Sequence, residues 1–295
     1  MSPVHYEELR YKSTLNRVEG MGFRWSLNPY RGCVHGCHYC FARRYHFPLD
    51  LNPSEDFTGI IFVKVNAPEM LRLELSAPSW HRETVAVGTA TDPYQPIEGK
   101  YRITRGCLEA FCDYRSPISL VTKGTMVVRD ADVLAELARR AGATICFSVT
   151  TLYADLWRKL EPGTPPPWKR LVAMERLVQA GVTAGVLLAP VIPGITDRRG
   201  DLEAVVRAAS EHGACFLGTN TLYLKPGTRE HFLGFLEREY PGLLATYRRL
   251  YPGNFAPKRF QQLVQAQVAG LKRDYGLQEW PRPVSPQQLK LALSP

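Results

Sequence analysis

The stretch NPYRGCVHGCHYCFAR, residues 28–43, decides how the rest of the chain is read. It sets Cys33, Cys37 and Cys40 in a C-x3-C-x2-C spacing, with the aromatic Tyr39 just before the last cysteine. Three thiolates so close in sequence can hold three irons of a cubane [4Fe-4S] cluster, leaving the fourth iron without a protein ligand. An open coordination position is where a metal centre does chemistry, whereas a filled one only staples a fold. The i, i+4, i+7 spacing also suits one buried helical stripe, but Pro29, Gly32 and Gly36 disfavour a helix here. A Cys3His zinc site drawing on His35, His38 or His46 is the stronger rival. Zinc knots usually pair two C-x2-C knuckles, and no second knuckle follows in the sequence.

Outward from this loop the chain alternates apolar runs with helical patterns. A first strand is expected near 22–28, and others at 84–90, 118–122, 144–149, 183–189 and 215–223. These runs are apolar almost throughout, as suits strands buried on both faces of a parallel sheet. Between them, Asp130 is placed to cap a helix carrying Val133, Leu134 and Leu137 and ended by Gly142. Helices are likewise predicted over 167–180, before Gly181, and over 201–212, before Gly213. Six βα units fall short of the eight of a closed TIM barrel. The expected fold is therefore α/β, a partial (β/α)6 TIM-like barrel with a side opening wide enough for a large substrate. An inserted strand at 57–65 and a helix at 68–76 interrupt the repeat. The chain divides into an N-terminal arm (1–21), the barrel (22–240), and a helical C-terminal extension with the Pro-rich tail WPRPVSPQQLKLALSP (241–295).

Bulk composition narrows the class. Hydrophobic residues make up 45% and charged residues 22% of the 295, as in a globular protein with a large core. No run of about 18 apolar residues occurs, so no membrane span is expected. The polar start MSPVHYEELRYKSTLNR does not resemble a signal peptide. Seven cysteines are an odd number and too few for a disulfide scaffold of this length, which points to the reducing cytoplasm. The balance of 37 Lys+Arg against 28 Asp+Glu gives a net charge of +9, which favours encounters with polyanions. The basic residues are scattered in pairs and form no single stripe.

Active sites of parallel βα folds gather at the C-terminal ends of the strands. Polar residues collect at each expected end. The cysteine loop follows the first strand; Thr89, Thr91 and Asp92 follow the second; Lys123 follows the third. Ser148 and Thr150 close the fourth, Val191 lies in the turn after the fifth, and Asn220 and Lys225 stand at the sixth.

The combination of NPYRGCVHGCHYCFAR, VGTATDPYQPIE (87–98), SLVTKGT (119–125) and VLLAPVIPGITD (186–197) resembles the radical S-adenosylmethionine (SAM) superfamily, and within it the branch of spore photoproduct lyase. The similarity runs from about Ser13 to Tyr240. It implies that Cys33, Cys37 and Cys40 ligate a [4Fe-4S] cluster that chelates SAM through its open iron. Reductive cleavage of SAM then yields methionine and a 5′-deoxyadenosyl radical, which abstracts hydrogen from a substrate. In that scheme Lys123 binds the SAM carboxylate by a charge-assisted hydrogen bond. Thr89, Thr91 and Asp92 contact the SAM amino group or the substrate, with Asp92 among the catalytic candidates. Ser148 and Thr150 face the ribose, Val191 and its turn pack on adenine, and Tyr39 packs near cluster or adenine. Strand-end hydroxyls and Asp-Pro turns also satisfy local backbone, so purely structural roles stay open for these residues. An electron donor such as flavodoxin or ferredoxin is implied, and the protein is expected to act as a monomer.

Two departures stand out. Spore photoproduct lyase uses a cysteine near the second strand end as a hydrogen donor, whereas Thr89 and Ala90 stand in that region here. Cys107 and Cys112 lie further on, five apart in an expected helix, and read as packing residues. In EPGTPPPWKR (161–170), close relatives carry an arginine near Gly163; Arg170 is the available substitute. The favoured function is radical chemistry on DNA, RNA or a nucleotide-like substrate, with Arg43, Arg44, Arg198, Arg199 and Lys225 as phosphate candidates. The alternatives are the same chemistry on a small metabolite or peptide, and a non-catalytic zinc-bound nucleic-acid-binding protein. The last cysteine is Cys215, which argues against the auxiliary C-terminal clusters of many peptide-modifying relatives.

Overall fold

The computed structural model describes residues 3–281. Its strands, in chain order, are β1 (His5–Leu9), β2 (Leu15–Arg17), β3 (Trp25–Leu27), β4 (Tyr30–Arg31), β5 (Ile60–Lys64), β6 (Val85–Val87), β7 (Ile118–Thr122), β8 (Ala143–Ser148), β9 (Thr183–Val191) and β10 (Leu217–Thr221). Seven of them form one sheet in the order β10-β9-β8-β7-β6-β3-β2. β3 and β6 through β10 run parallel, and β2 adds an antiparallel edge. The sheet does not close, because β10 and β2 stand at opposite edges. It is the expected partial (β/α)6 barrel.

The strands form where the apolar runs predicted them, because both faces are covered. β8 is buried almost along its whole length, with Ile145, Cys146 and Phe147 completely enclosed. On the outer face, Leu134, Leu137, Leu171, Leu177, Leu202 and Val206 of the intervening helices join the same core. The helix Pro167–Gln179 stops at Ala180, and Gly181 at φ +81° turns the chain back toward β9. Asp130 stands at the N-cap position of the helix Ala131–Arg140, but its carboxylate does not cap it. It accepts instead from the Tyr94 hydroxyl and from the guanidinium groups of Arg105 and Arg129. A buried carboxylate gains more from two arginines than from a backbone N–H.

A second, smaller sheet has the order β1-β5-β4. The N-terminal arm contributes β1 to it, pairing His5–Leu9 with Ile60–Lys64, and contributes β2 to the main sheet. The inserted strand expected at 57–65 is thus the centre of its own sheet. The helices Thr228–Glu239 and Pro241–Leu250 share one apolar core through Phe232, Phe235 and Tyr247, so packing continues across residue 240. That core also includes Cys37 and Tyr39. Within the tail, Trp280 packs on Phe216, and the rest of it lies outside the described residues. Among the described residues no helix is long and apolar enough to cross a membrane.

Candidate active site

The cysteine loop lies between β4 and a 3-10 helix, Phe41–Leu49. It is a chain of tight turns rather than a helix: Gly36 N–H donates to Cys33 O, Cys40 N–H to Cys37 O and Arg43 N–H to Cys40 O. Neighbouring segments anchor it, with Cys33 N–H donating to Phe57 O and His38 N–H to Leu160 O. Cys33 and Cys37 are buried and Cys40 is half-buried. Burial, then Asp92, then the Cys40 and Cys37 thiols push the Cys33 thiol up, so the three sulfurs sense one another. Burial pushes Cys37 up to about 12, against the pull of Lys123.

Arg43 is the cation beneath this loop. Its side chain is 1% exposed and donates to Cys37 O, Gly36 O, Pro53 O and Ser54 O at 2.9–3.2 Å. Its guanidinium carbon also sits 4.9 Å from the Phe57 ring centroid. With every donor inside the fold, Arg43 does not reach a phosphate, which corrects its place among the phosphate candidates. No carboxylate pairs with it among the described residues; the charges that favour its cationic form are those of Cys40, Cys37 and Cys33. A buried guanidinium facing three thiols fits an anionic thiolate-bound cluster, since an unpaired charge is costly to bury.

The same loop does not fit a single zinc ion. Among the described residues no three or more His, Cys, Asp or Glu side chains, the three cysteines included, are arranged around a single metal ion. Of the histidines of the rival site, His35 and His38 are engaged elsewhere. His35 Nδ1 lies 3.2 Å from Asp92, and His38 Nδ1 lies 2.9 Å from His231 Nε2. His46 packs between Phe57 and Phe62, and among the described residues neither of its ring nitrogens has a hydrogen-bond partner.

The segment after β6 holds the loop from below. Thr91 Oγ1 and Gln95 Nε2 donate to Gly32 O, and Val34 N–H donates to Gln95 Oε1. Asp92 faces His35 and accepts from Thr122 Oγ1, Lys123 N–H and Tyr94 N–H. Burial alone would raise its carboxyl, but His35 and these hydrogen bonds hold it well below the usual carboxylate range. Asp92 and Thr91 therefore position the cysteine loop rather than facing a ligand. Thr89 is different: it is half-buried, accepts from Asn28 Nδ2 at 3.1 Å, and lines an open cavity with Ala90.

Lys123 lies on the other side of the cysteines. Its Nζ donates to Ser148 Oγ at 2.9 Å and sits 5.5 Å from the Tyr39 ring centroid. Burial would lower its ammonium; Cys37 and Glu161 outweigh that and raise it. The Tyr39 hydroxyl donates to Glu161, whose carboxylate pairs with Arg170. Burial opposes ionisation of Glu161, yet Arg170 and Lys123 bring it down to about 2. Arg170 is fully buried and also donates to Ser148 O at 2.8 Å and Thr164 Oγ1 at 2.6 Å.

Residues 27–232 match the model of the Radical SAM superfamily. The chain belongs to that superfamily. An uncharacterized protein of Mycobacterium tuberculosis is 38% identical over 288 residues, covering 96% of this chain and 85% of that one. A radical SAM Nα-GlyT isomerase of Pseudomonas phage M6 is 27% identical over 256 residues, covering 83% of this chain and 46% of the phage protein. Among solved structures, a spore photoproduct lyase variant with bound AdoMet and dinucleoside spore photoproduct superposes with a TM-score of 0.70 at 14% identity. It covers 92% of this chain and 78% of that one. A radical SAM methyltransferase from Sphaerobacter thermophilus gives 0.51 at 15% identity, covering 90% and 67%. At these identities the likeness is one of fold. The chain is thus a radical SAM enzyme resembling the spore photoproduct lyase branch, and membership implies a [4Fe-4S] cluster and SAM.

Against that superfamily's chemistry, the expected cofactor residues divide. Cys33, Cys37 and Cys40 act on one another's charge, Lys123 acts on Cys37, and its ammonium sits 5.5 Å from the Tyr39 ring centroid. Ser148 and Thr150 are buried and both donate to Ala189 O, so their protons are not free for a ribose. Val191 is core, and its carbonyl accepts from Leu222 N–H. Arg170 reaches back to this segment, donating to Pro165 O and Thr164 Oγ1. Gly163 itself leaves no room, since a Cβ there would lie 2.3 Å from Val34 O. Cys107 and Cys112 are buried packing residues, as read. The sequence reading gave no part to Asn28 or Gln95. Gln95 lay inside the quoted VGTATDPYQPIE segment, but nothing local shows that its amide reaches back to residue 32.

Proposed function

We propose that this enzyme abstracts a hydrogen atom from a nucleic-acid or nucleotide-like substrate, as a lyase-like or repair-like member of its superfamily. The observation that carries the radical chemistry is the three-thiol loop, underlain by Arg43 and flanked by Lys123, at the mouth of an open parallel sheet. Cys33, Cys37 and Cys40 would hold the [4Fe-4S] cluster. When bound, that cluster supplies one electron to the sulfonium of SAM and so gives access to a 5′-deoxyadenosyl radical.

The protein's own residues orient and insulate. Lys123 presents an ammonium to the SAM carboxylate, kept charged by Glu161 and steered by Ser148. Tyr39, Glu161 and Arg170 form a buried network that fixes the floor of this site. Thr91, Asp92 and Gln95 set the height of the cysteine loop. Thr89 and Ala90 face the substrate side and carry no thiol, so any hydrogen returned to the product comes from another donor.

The nucleotide reading is supported by the net charge of +9 and by the dinucleoside spore photoproduct bound in the spore photoproduct lyase complex. A flavodoxin or ferredoxin would deliver the electron, with the enzyme acting as a monomer in the reducing cytoplasm. Anaerobic reconstitution followed by reduction with SAM tests the class through formation of 5′-deoxyadenosine. Deuterium transfer from labelled oligonucleotide into that product tests the substrate. No transfer from any DNA or RNA would redirect the search to small metabolites or peptides.

A further inference from the structure

A cavity of about 390 Å³ opens beside the cysteine loop, where Gly32, Phe41 and Ala42 line it. Thr89 and Ala90, which follow β6, form part of its lining. Another part is the smaller sheet, which presents Arg31 at the end of β4 and Lys64 at the end of β5. Arg17 adds a third cation, and Glu19 is the one acid on the lining.

Lys64 is the anomaly. It is 7% exposed, yet among the described residues its ammonium makes neither a hydrogen bond nor an ion pair; it sits 4.7 Å from the Tyr11 ring centroid, and Glu74 acts on it without pairing. A second buried lysine shows what a structural role looks like: Lys272, at 6% exposed, pairs with Glu279 and donates to Leu217 O. Arg31 pairs with no acid either, and lies close enough for its charge to act on Lys64. Burying an ammonium beside a second cation, with no acid paired to it, opposes folding. Such an arrangement is retained when an anion completes it. Burial, reinforced by Arg31, lowers Lys64 to about 8, so it still carries its charge at neutral pH.

We propose that Lys64 and Arg31 form an anion subsite that grips the phosphate of the substrate's nucleotide unit. This deepens the proposed nucleotide reading and rests on it. A planar guanidinium beside a point-like ammonium suits a phosphate oxygen set, the first by its fork and the second by its compact charge. Phe41 and Tyr45 supply aromatic surface for a base on the same wall as the cysteine loop. The volume sits near the lower end of the range for small-ligand sites, roughly 300–1,000 Å³. It accommodates one nucleotide unit and not a duplex, so a polymer must present an unstacked residue. The smaller sheet and the N-terminal arm thereby gain a purpose: they bring a cation to the cavity that Thr89 and Ala90 line.

The test is calorimetric titration of the anaerobic, cluster-loaded, unreduced enzyme with SAM present. The probes are deoxynucleoside 5′-monophosphates, the parent nucleosides, inorganic phosphate and benzoate. At least one monophosphate should bind tenfold or more tightly than its nucleoside. Lys64→Gln and Arg31→Gln should each bring that preference within threefold, Lys64→Arg should retain most of it, and the exposed Arg259→Gln should not change it. Iron content and melting temperature establish that each variant is folded and loaded. A preference unchanged in both Gln variants overturns the subsite, as does the absence of any monophosphate binding. Lys64-dependent binding of benzoate alone overturns the phosphate assignment. Deuterium transfer from oligonucleotides is read separately. If it fails while monophosphate binding stays Lys64-dependent, the subsite stands and the polymer reading falls.

Discussion

The two flanks of the cysteine loop are built on opposite terms. Toward β9 and β10 the loop leans on apolar and aromatic packing: Phe232, Phe235, Leu236 and Tyr247 are buried, and the His38 ring stacks on Phe235 at 4.4 Å. Toward β3 and β6 it borders a cavity whose cations, Arg31 and Lys64, have no acid partner. The first flank has everything it needs within the chain. The second is complete only with a ligand. Stability and recognition are thus divided between the two sides of one loop, and each can be perturbed while the other is watched.

The largest effect should come from the loop itself, which both flanks serve. Cys33→Ala, Cys37→Ala or Cys40→Ala removes one of three thiolates, and 5′-deoxyadenosine formation should fall at least about a thousandfold with loss of cluster iron. Normal turnover in any of the three would end the cluster assignment. On the packed flank, Phe235→Ala should destabilise the protein by about 3–5 kcal/mol, the usual result of emptying a buried aromatic site. Denaturant unfolding measures it. A loss below about 1 kcal/mol would show that this flank is not the stabilising one.

Lys123→Met sharpens the contrast in another way. Removing a charge-assisted contact should raise the KM for SAM by about 10–100-fold while the melting temperature changes little. An unchanged KM would place the SAM carboxylate elsewhere. The smallest effect concerns pH. Burial lowers His38 to about 4 and His231 to about 3, so in the folded state both rings stay neutral well below their ordinary 6.5. The unfolded chain takes up those protons first as pH falls, so stability present above about pH 6.5 should decline between pH 6.5 and 4. Melting curves of the cluster-free protein at pH 7.5 and 5 would show it, and His38→Asn with His231→Asn should flatten the decline. An unchanged slope would remove the histidine pair as its source.

Much of the site was legible because its signals are local. The cysteine spacing, the strand-end lysine at 123 and the βα rhythm each depend on residues a few positions apart. What escaped were partnerships across long separations. Arg43 reads as one more basic residue beside Arg44, and only the fold shows it wrapped by four carbonyls. Asp92 reads as a catalytic acid in a motif, and only the fold places His35 against it. Ser148 and Thr150 read either as ribose contacts or as local backbone partners, and the fold shows both meeting the carbonyl of Ala189 from the neighbouring strand. Glu161 and Tyr39 are 122 residues apart, and no pattern announces their hydrogen bond.

The sequence alone determined the sheet and the metal-binding loop, because hydrophobic periodicity fixes which segments pair and thiol spacing fixes what they can ligate. The tertiary structure decided the charge balance. Whether a buried cation is satisfied depends on which carbonyls and carboxylates the fold brings within a few ångströms, and that distance is not written in chain order. Lys272 and Lys64 are alike as residues; one met a glutamate and the other met a cavity.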